Sequence, residues 1–304
     1  MTGQSIRVEH EWVIDALRVG IAVVVLGYAS VRDVKDRRVP NAPWLILAII
    51  GLVLVPIQIS VDNMPLGYAL VLVPILAILA DVYWDAGEGS RLAKWGPYLK
   101  YAFAIVALVA LGYYWSAESY FQYLLAVPIM MLFVVVLYMA DVIRGGADAK
   151  ALISLAILFP RYPILGGLPW LDGAGGTGQL FFPFSFVILI NAAIFTALLA
   201  LVFLAKNVAV GDRRFPQALL GYRVETSKLK GKHVWLMERI EDSTHKVYSR
   251  PRSEEDLGHE IALLNEAGLT KVWITPKIPF IVPMLASLIF STVVGNLVFL
   301  LTSY

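Results

Sequence analysis

Apolar runs long enough to cross a bilayer, separated by short polar breaks, set the pattern of this chain. Such runs occupy 12–31, 44–60, 65–84, 97–114, 120–143, 181–205 and 278–302; a hydrocarbon core of roughly 30 Å needs about 20 apolar residues per helix. An eighth run begins near Ala149 with ALISLAILF and reaches about Leu165, interrupted by Pro160 and Arg161. This short element is expected to lie tilted or sheltered by its neighbours, because lipid cannot satisfy a broken backbone. The pattern predicts an all-α polytopic membrane protein of about eight transmembrane helices. Asp15 and Arg18 sit inside the first run and no small-residue cleavage site follows it. It is therefore expected to stay in the mature protein rather than be removed as a signal peptide.

Between Asn207 and Pro276 the pattern changes. Period-two alternation in HVWLMERI, HKVYSR and KVWIT reads as strands. One helix is signalled by Ser253 as a cap, by Glu254, Glu255 and Asp256 at its positive end, by the apolar positions Leu257, Ile261 and Leu264, and by Gly268 after them. The chain thus divides into a membrane core over 1–206, a soluble α+β insert over 207–276 and a last transmembrane helix over 277–304. The glycine-rich loop 166–178, GGLPWLDGAGGTG, lacks the GK[ST] ending of a phosphate cradle and reads as a flexible connection.

Charge placement supplies an orientation. Arg32, Lys35, Arg37 and Arg38 follow the first run, and basic residues gather in cytoplasmic loops. Putting that loop inside leaves the amino terminus outside, and alternation through eight crossings then leaves only Arg7, Arg18 and Arg161 of the 25 basic residues outside. The insert falls in the cytoplasm. Composition agrees with a lipid environment, with 59% hydrophobic residues against 16% charged. The absence of cysteine removes disulfides, thiolate nucleophiles and cysteine-ligated metals. His10, His233, His245 and His259 have no metal-ligand spacing, and no Gly-x-Ser-x-Gly elbow appears. No metal, no cofactor and no nucleic-acid partner is expected.

Acidic groups at membrane level are rare and mark function. Asp33 lies at the cytoplasmic mouth of the first run in Asp33-Val34-Lys35-Asp36-Arg37-Arg38-Val39-Pro40-Asn41. Asp148 lies in Gly145-Gly146-Ala147-Asp148-Ala149-Lys150, where the short run starts. Four runs separate them, and an even number returns the chain to the same face. Two neighbouring carboxylates cannot both ionise easily; sharing one proton, they can activate water and protonate an amide. That chemistry is peptide-bond hydrolysis. The glycines permit close backbone approach or a plain turn, and Asp33 among its basic neighbours could equally be a charge partner in a solvated loop. Ala80-Asp81-Val82 and Ala140-Asp141-Val142 echo one another, which suggests a duplicated hairpin and makes Asp85 and Glu88 rivals for the second carboxylate. Asp81 and Asp141 read as boundary charges, or as contacts for a basic substrate segment.

Taken together, the two motifs resemble those of the archaeal type IV prepilin and preflagellin peptidases, a family of membrane aspartyl peptidases. The family's first motif is matched by Asp33, Lys35, Arg37, Val39, Pro40 and Asn41. Its second, Gly-x-Gly-Asp followed by x-Lys, is matched by Gly145, Gly146, Asp148 and Lys150, with Ala147 in place of the second glycine. The likeness runs from the first apolar run to about Phe159 and is only loose before the last one. The resemblance implies an aspartic endopeptidase that removes a short basic class III signal peptide from prepilin-like or preflagellin-like (archaellin) precursors at the cytoplasmic face of the cell membrane. Asp33 and Asp148 would be its catalytic pair. Bacterial relatives also methylate the new amino terminus, and many carry a cysteine-rich domain; this cysteine-free chain is expected not to methylate. The competing readings are a presenilin-like intramembrane aspartyl protease, whose first aspartate follows tyrosine rather than an arginine such as Arg32, and a proton- or cation-coupled transporter. The oligomeric state is not legible.

Overall fold

A computed structural model describes residues 2–84, 91–116, 118–171, 182–229, 233–241, 244–248 and 257–297. The chain forms two compact units, 1–192 together with 280–304, and 193–279. The helices of the first unit are α1 (Thr2–Asp36), α2 (Ala42–Val61), α3 (Leu72–Tyr83, entered through a 3-10 segment Leu66–Val71), α4 (Arg91–Trp115), α5 (Ser119–Met139) and α6 (Gly146–Leu158). Next come α7 (Phe184–Val210), which runs on into the second unit, and α10 (Ile281–Val293). Among the described residues, six helical stretches are long and apolar enough to cross a membrane. Many large apolar side chains on them are exposed, among them Val24, Val53, Phe103, Val109 and Val136. Water does not tolerate such faces at that density, whereas lipid does. The chain is a multi-pass membrane protein.

One stripe of α1 faces the interior. Asp15, Arg18, Ala22, Leu26 and Ala29 are buried at the three- and four-residue spacing of a helix face. Asp33 continues that stripe, 18 positions or about five turns and about 27 Å beyond Asp15. The helix ends where Arg37 takes a left-handed φ of 54° and its N–H donates to the Asp33 carbonyl at 3.1 Å. Pro40 stops any continuation.

The eighth apolar run is the 13-residue α6, about 20 Å long at 1.5 Å per residue and too short to cross alone. It is sheltered. Every residue from Ala151 to Leu158 is buried, chiefly against α2 and α5. At the tightest crossing a Cβ on Gly51 would lie 2.8 Å from the Leu158 backbone nitrogen, so only glycine lets α2 come this close to α6. The fifth run was expected to continue to Ile143, but α5 stops at Met139 and Asp141 turns the chain with φ 56°.

At the end of the bundle away from Asp33, charged and polar side chains from several helices meet in the interior. Arg18 lies 3.4 Å from both Asp15 and the Gln58 side-chain oxygen, and Gln58 donates to Asp62 at 2.7 Å. Tyr120 also donates to Asp62 at 2.9 Å, Arg161 stands 3.6 Å from it, and Asp15 accepts the Ile164 N–H at 3.0 Å. Buried charges persist only when paired in this way. The network fastens the far ends of α1 and α2, the start of α5 and the segment after α6. Helix α10 packs on α1, and its Ser291 accepts a 2.9 Å hydrogen bond from Asn191.

In the second unit, β1 (Tyr222–Glu225), β5 (Lys271–Pro276) and β2 (Val234–Leu236) form an antiparallel sheet in the order β1-β5-β2. Val224 pairs with Val272, and Leu236 with Ile274. A separate hairpin joins β3 (Glu238–Glu241) to β4 (Thr244–Val247). Besides the short α8 (Gln217–Leu220), the unit contains α9 (Leu257–Glu266), whose Leu264 enters a core with Leu229, Val234, Val272 and Ile274. Gly268, at φ 78°, follows α9 as expected of a helix stop. The three strand segments read from alternation correspond to β2 with β3, β4 and β5; β1 went unread. The expected cap at Ser253 and the part of the glycine-rich loop from 172 lie outside the described residues.

Candidate active site

Asp33 and Asp148 come to the same end of the first unit from separate helices. Asp33 is half-buried in the last turn of α1. Asp148 is half-buried in the first turn of α6, where the helix's positive end favours a carboxylate. The Asp33 charge is felt at Asp148, and Arg37 supplies attraction on the Asp33 side. Both aspartates thus stand at the same end of the first unit.

The two motifs are also tied by a direct bond. Lys150 donates to the side-chain oxygen of Asn41 at 2.9 Å, joining the second motif to the residue that starts α2. One turn on, the Ser154 hydroxyl donates to the Trp44 carbonyl at 2.8 Å. The ammonium of Lys150 also lies 5.3 Å from the centre of the Tyr83 ring, a distance at which the ring face attracts a cation. These contacts fix the first turn of α6 against α2, and with it the position of Asp148.

The glycines of the second motif are not equivalent. Gly145 starts α6 in an extended conformation, and a Cβ there would collide with Oδ2 of Asp148, whose carboxylate lies against the Gly145 backbone. At Gly146 a Cβ would meet only Tyr138, at an ordinary 3.6 Å. Ala147 is half-buried against the core, so the position that departs from Gly-x-Gly-Asp holds a methyl without strain.

Other motif residues stand apart. Lys35 and Pro40 are exposed, whereas Val39 packs on the core. Asp81, in the last turns of α3, accepts hydrogen bonds from Lys100 and Tyr101 of α4. Asp141 is exposed and faces Arg144 at 3.5 Å. Asp85 and Glu88 lie outside the described residues. Sequence reading missed Tyr83, Ser154 and Gly51, which support the site from positions too distant along the chain for local spacing to mark them.

Two comparisons bear on the chain. A family model described as Archaeal Peptidase A24 C-terminus Type II matches residues 213–297. The preflagellin peptidase of Methanocaldococcus jannaschii is 26% identical over 155 residues, which make up 50% of this chain and 63% of that protein. The match thus spans a little under two thirds of that relative. Both findings bear out the resemblance to archaeal prepilin and preflagellin peptidases. The family model covers most of the insert and reaches into the last apolar run, whereas the motif resemblance ran to about Phe159 and was loose over 276–283.

Proposed function

We propose that this chain is a membrane aspartic endopeptidase that removes a short basic leader from prepilin-like or preflagellin-like precursors. The observation that carries the reading is the convergence of Asp33 and Asp148, with Lys150 and Asn41 bonded across the two motifs that hold them. In this reading one carboxylate is ionised and the other protonated. The ionised one takes a proton from water as the water oxygen bonds to the scissile carbonyl carbon, and the protonated one gives its proton to the carbonyl oxygen. Collapse of the diol then breaks the C–N bond as the newly protonated carboxyl gives its proton to the leaving nitrogen and the other carboxylate takes one from a diol hydroxyl, which restores the starting pair.

The boundary position of the pair suits cleavage just before a hydrophobic helix rather than within one. The amino terminus would lie outside and the active site and insert inside, as the basic loops require. Of the two candidate leader contacts, Asp141 is the freer. Its pairing with Arg144 joins side chains that are 78% and 84% exposed, and such surface pairs exchange partners at little cost. Asp81 already accepts from Lys100 and Tyr101. No methyl transfer is assigned to the chain.

The test is a cleavage assay in membranes on a precursor whose Lys-Gly leader precedes its hydrophobic helix. Wild type should shorten it at the leader, whereas Asp33→Asn and Asp148→Asn should each lose activity by about 10²-fold or more. Cleavage by Asp148→Asn at the wild-type rate would remove that residue from the pair. A precursor left uncut by wild type would move the transporter reading ahead.

A further inference from the structure

A groove of about 480 Å³ opens beside the turn that carries Asp148, a size typical of ligand sites. Its floor is the first half of α6, where Gly146, Ala149 and Ile153 face it; α3 supplies one wall through Ile78 and Val82, and α5 the other through Leu132 and Val135. From Met139 back to Leu132 it follows α5 over seven residue steps, about 10 Å into the membrane layer. Polarity is graded along that path. Asp81, Tyr101, Tyr138 and Lys150 line the end near the aspartates, and the deeper lining is apolar. Small residues on the floor let a second helix backbone approach closely.

Resting on the peptidase reading, we infer that this groove docks the hydrophobic helix of the precursor, so that its first turns lie between α3 and α5 and the scissile bond is delivered to the aspartates. Complementarity of charge along the groove selects this occupant. A precursor carries its basic residues before the bond and apolar ones after it. Asp81 and Lys150 line the mouth, Asp33 and Asp148 stand near it, and among the described lining residues no ionisable side chain lies deeper. A lipid acyl chain matches the deep part of the groove but brings no peptide bond to Asp33 and Asp148 beside its mouth. Groove recognition would make the helix, and not the leader alone, a determinant of which proteins are cut.

The natural chain has no cysteine, so single introduced cysteines report position directly. Val135→Cys and Val82→Cys place a thiol on the two walls of the groove; Ile49→Cys places one on the outward face of α2. Each is combined with Asp33→Asn to hold uncleaved a precursor bearing one cysteine in the first turns of its helix. Disulfide capture from the groove positions should exceed capture from Ile49→Cys by about 10-fold or more, the discrimination expected of specific docking. In active enzyme, Val135→Trp should raise KM for the whole precursor without altering cleavage of a soluble peptide that carries the leader, the scissile bond and only the first few residues after it. Equal capture from all three positions, or unchanged KM, would overturn the groove and assign it to lipid, while cleavage by wild type would leave the peptidase reading standing. If wild type cuts neither precursor nor peptide, the peptidase reading fails, and the groove assignment with it.

Discussion

At Gly145 the backbone and the candidate catalytic group compete for the same space. The Asp148 carboxylate occupies the volume a side chain would need, so Gly145→Ala must displace it or the turn that holds it. Displacement of a reacting group by about 1 Å costs on the order of 10²-fold in rate. Gly145→Ala should therefore lose about that much kcat on a precursor, while Gly146→Ala, which meets only ordinary contact with Tyr138, should stay within about threefold, an effect under 1 kcal/mol. Comparable losses in the two variants would contradict the geometry. Asp33 and Asp148 themselves were legible in sequence because each sits in a short motif at a run boundary. The unequal demand on the two glycines was not, since it arises from a side chain folding back in three dimensions. The buried pairing of Arg18 with Asp15 and Gln58 was equally hidden. Arg18 read only as a charge inside the first run, toward its outer end, because its partner Gln58 comes from another helix 40 positions away.

Among the elements, α6 departs furthest from an ordinary transmembrane span. Its interruption at Pro160 and Arg161 was visible in the sequence, and burial on all sides is what lets so short a helix persist in a membrane core. That burial depends on Gly51, where α2 and α6 approach backbone to backbone. Gly51→Leu should overpack the crossing and destabilise the fold by roughly 1–3 kcal/mol. In detergent this would be read as a lower melting temperature together with lost cleavage, whereas an unchanged melting temperature would refute the close crossing. Long apolar runs announced the helices because periodicity and length are strong signals there. Strand β1 was missed because YRVE is four residues long with only two apolar positions, too brief for alternation to stand out. It becomes a strand through pairing with β5 from 46 or more positions away.

The whole molecule presents two chemically distinct ends of one helical unit. Asp33, Asn41, Tyr83 and Lys150 meet at one end, and Asp15, Asp62, Tyr120 and Arg161 at the other, as alternating crossings through α6 require. The basic loops predict which end faces the cytoplasm. With no native cysteine to interfere, an impermeant maleimide applied to intact cells should label Asn63→Cys between α2 and α3 and spare Thr244→Cys in the hairpin. Permeabilisation should expose the second. The reverse pattern would invert the topology and place the aspartates outside.

The central claim is that Asp33 and Asp148 act as one unit, and a double-variant cycle tests it most directly. Cleavage of a basic-leader precursor is measured for wild type, Asp33→Asn, Asp148→Asn and both changes together. Residues that share one proton and one water fail together, so the double variant should show the same residual rate as either single variant. A double variant whose loss equals the product of the two single losses, or a single variant that still cleaves at the wild-type rate, would contradict the account.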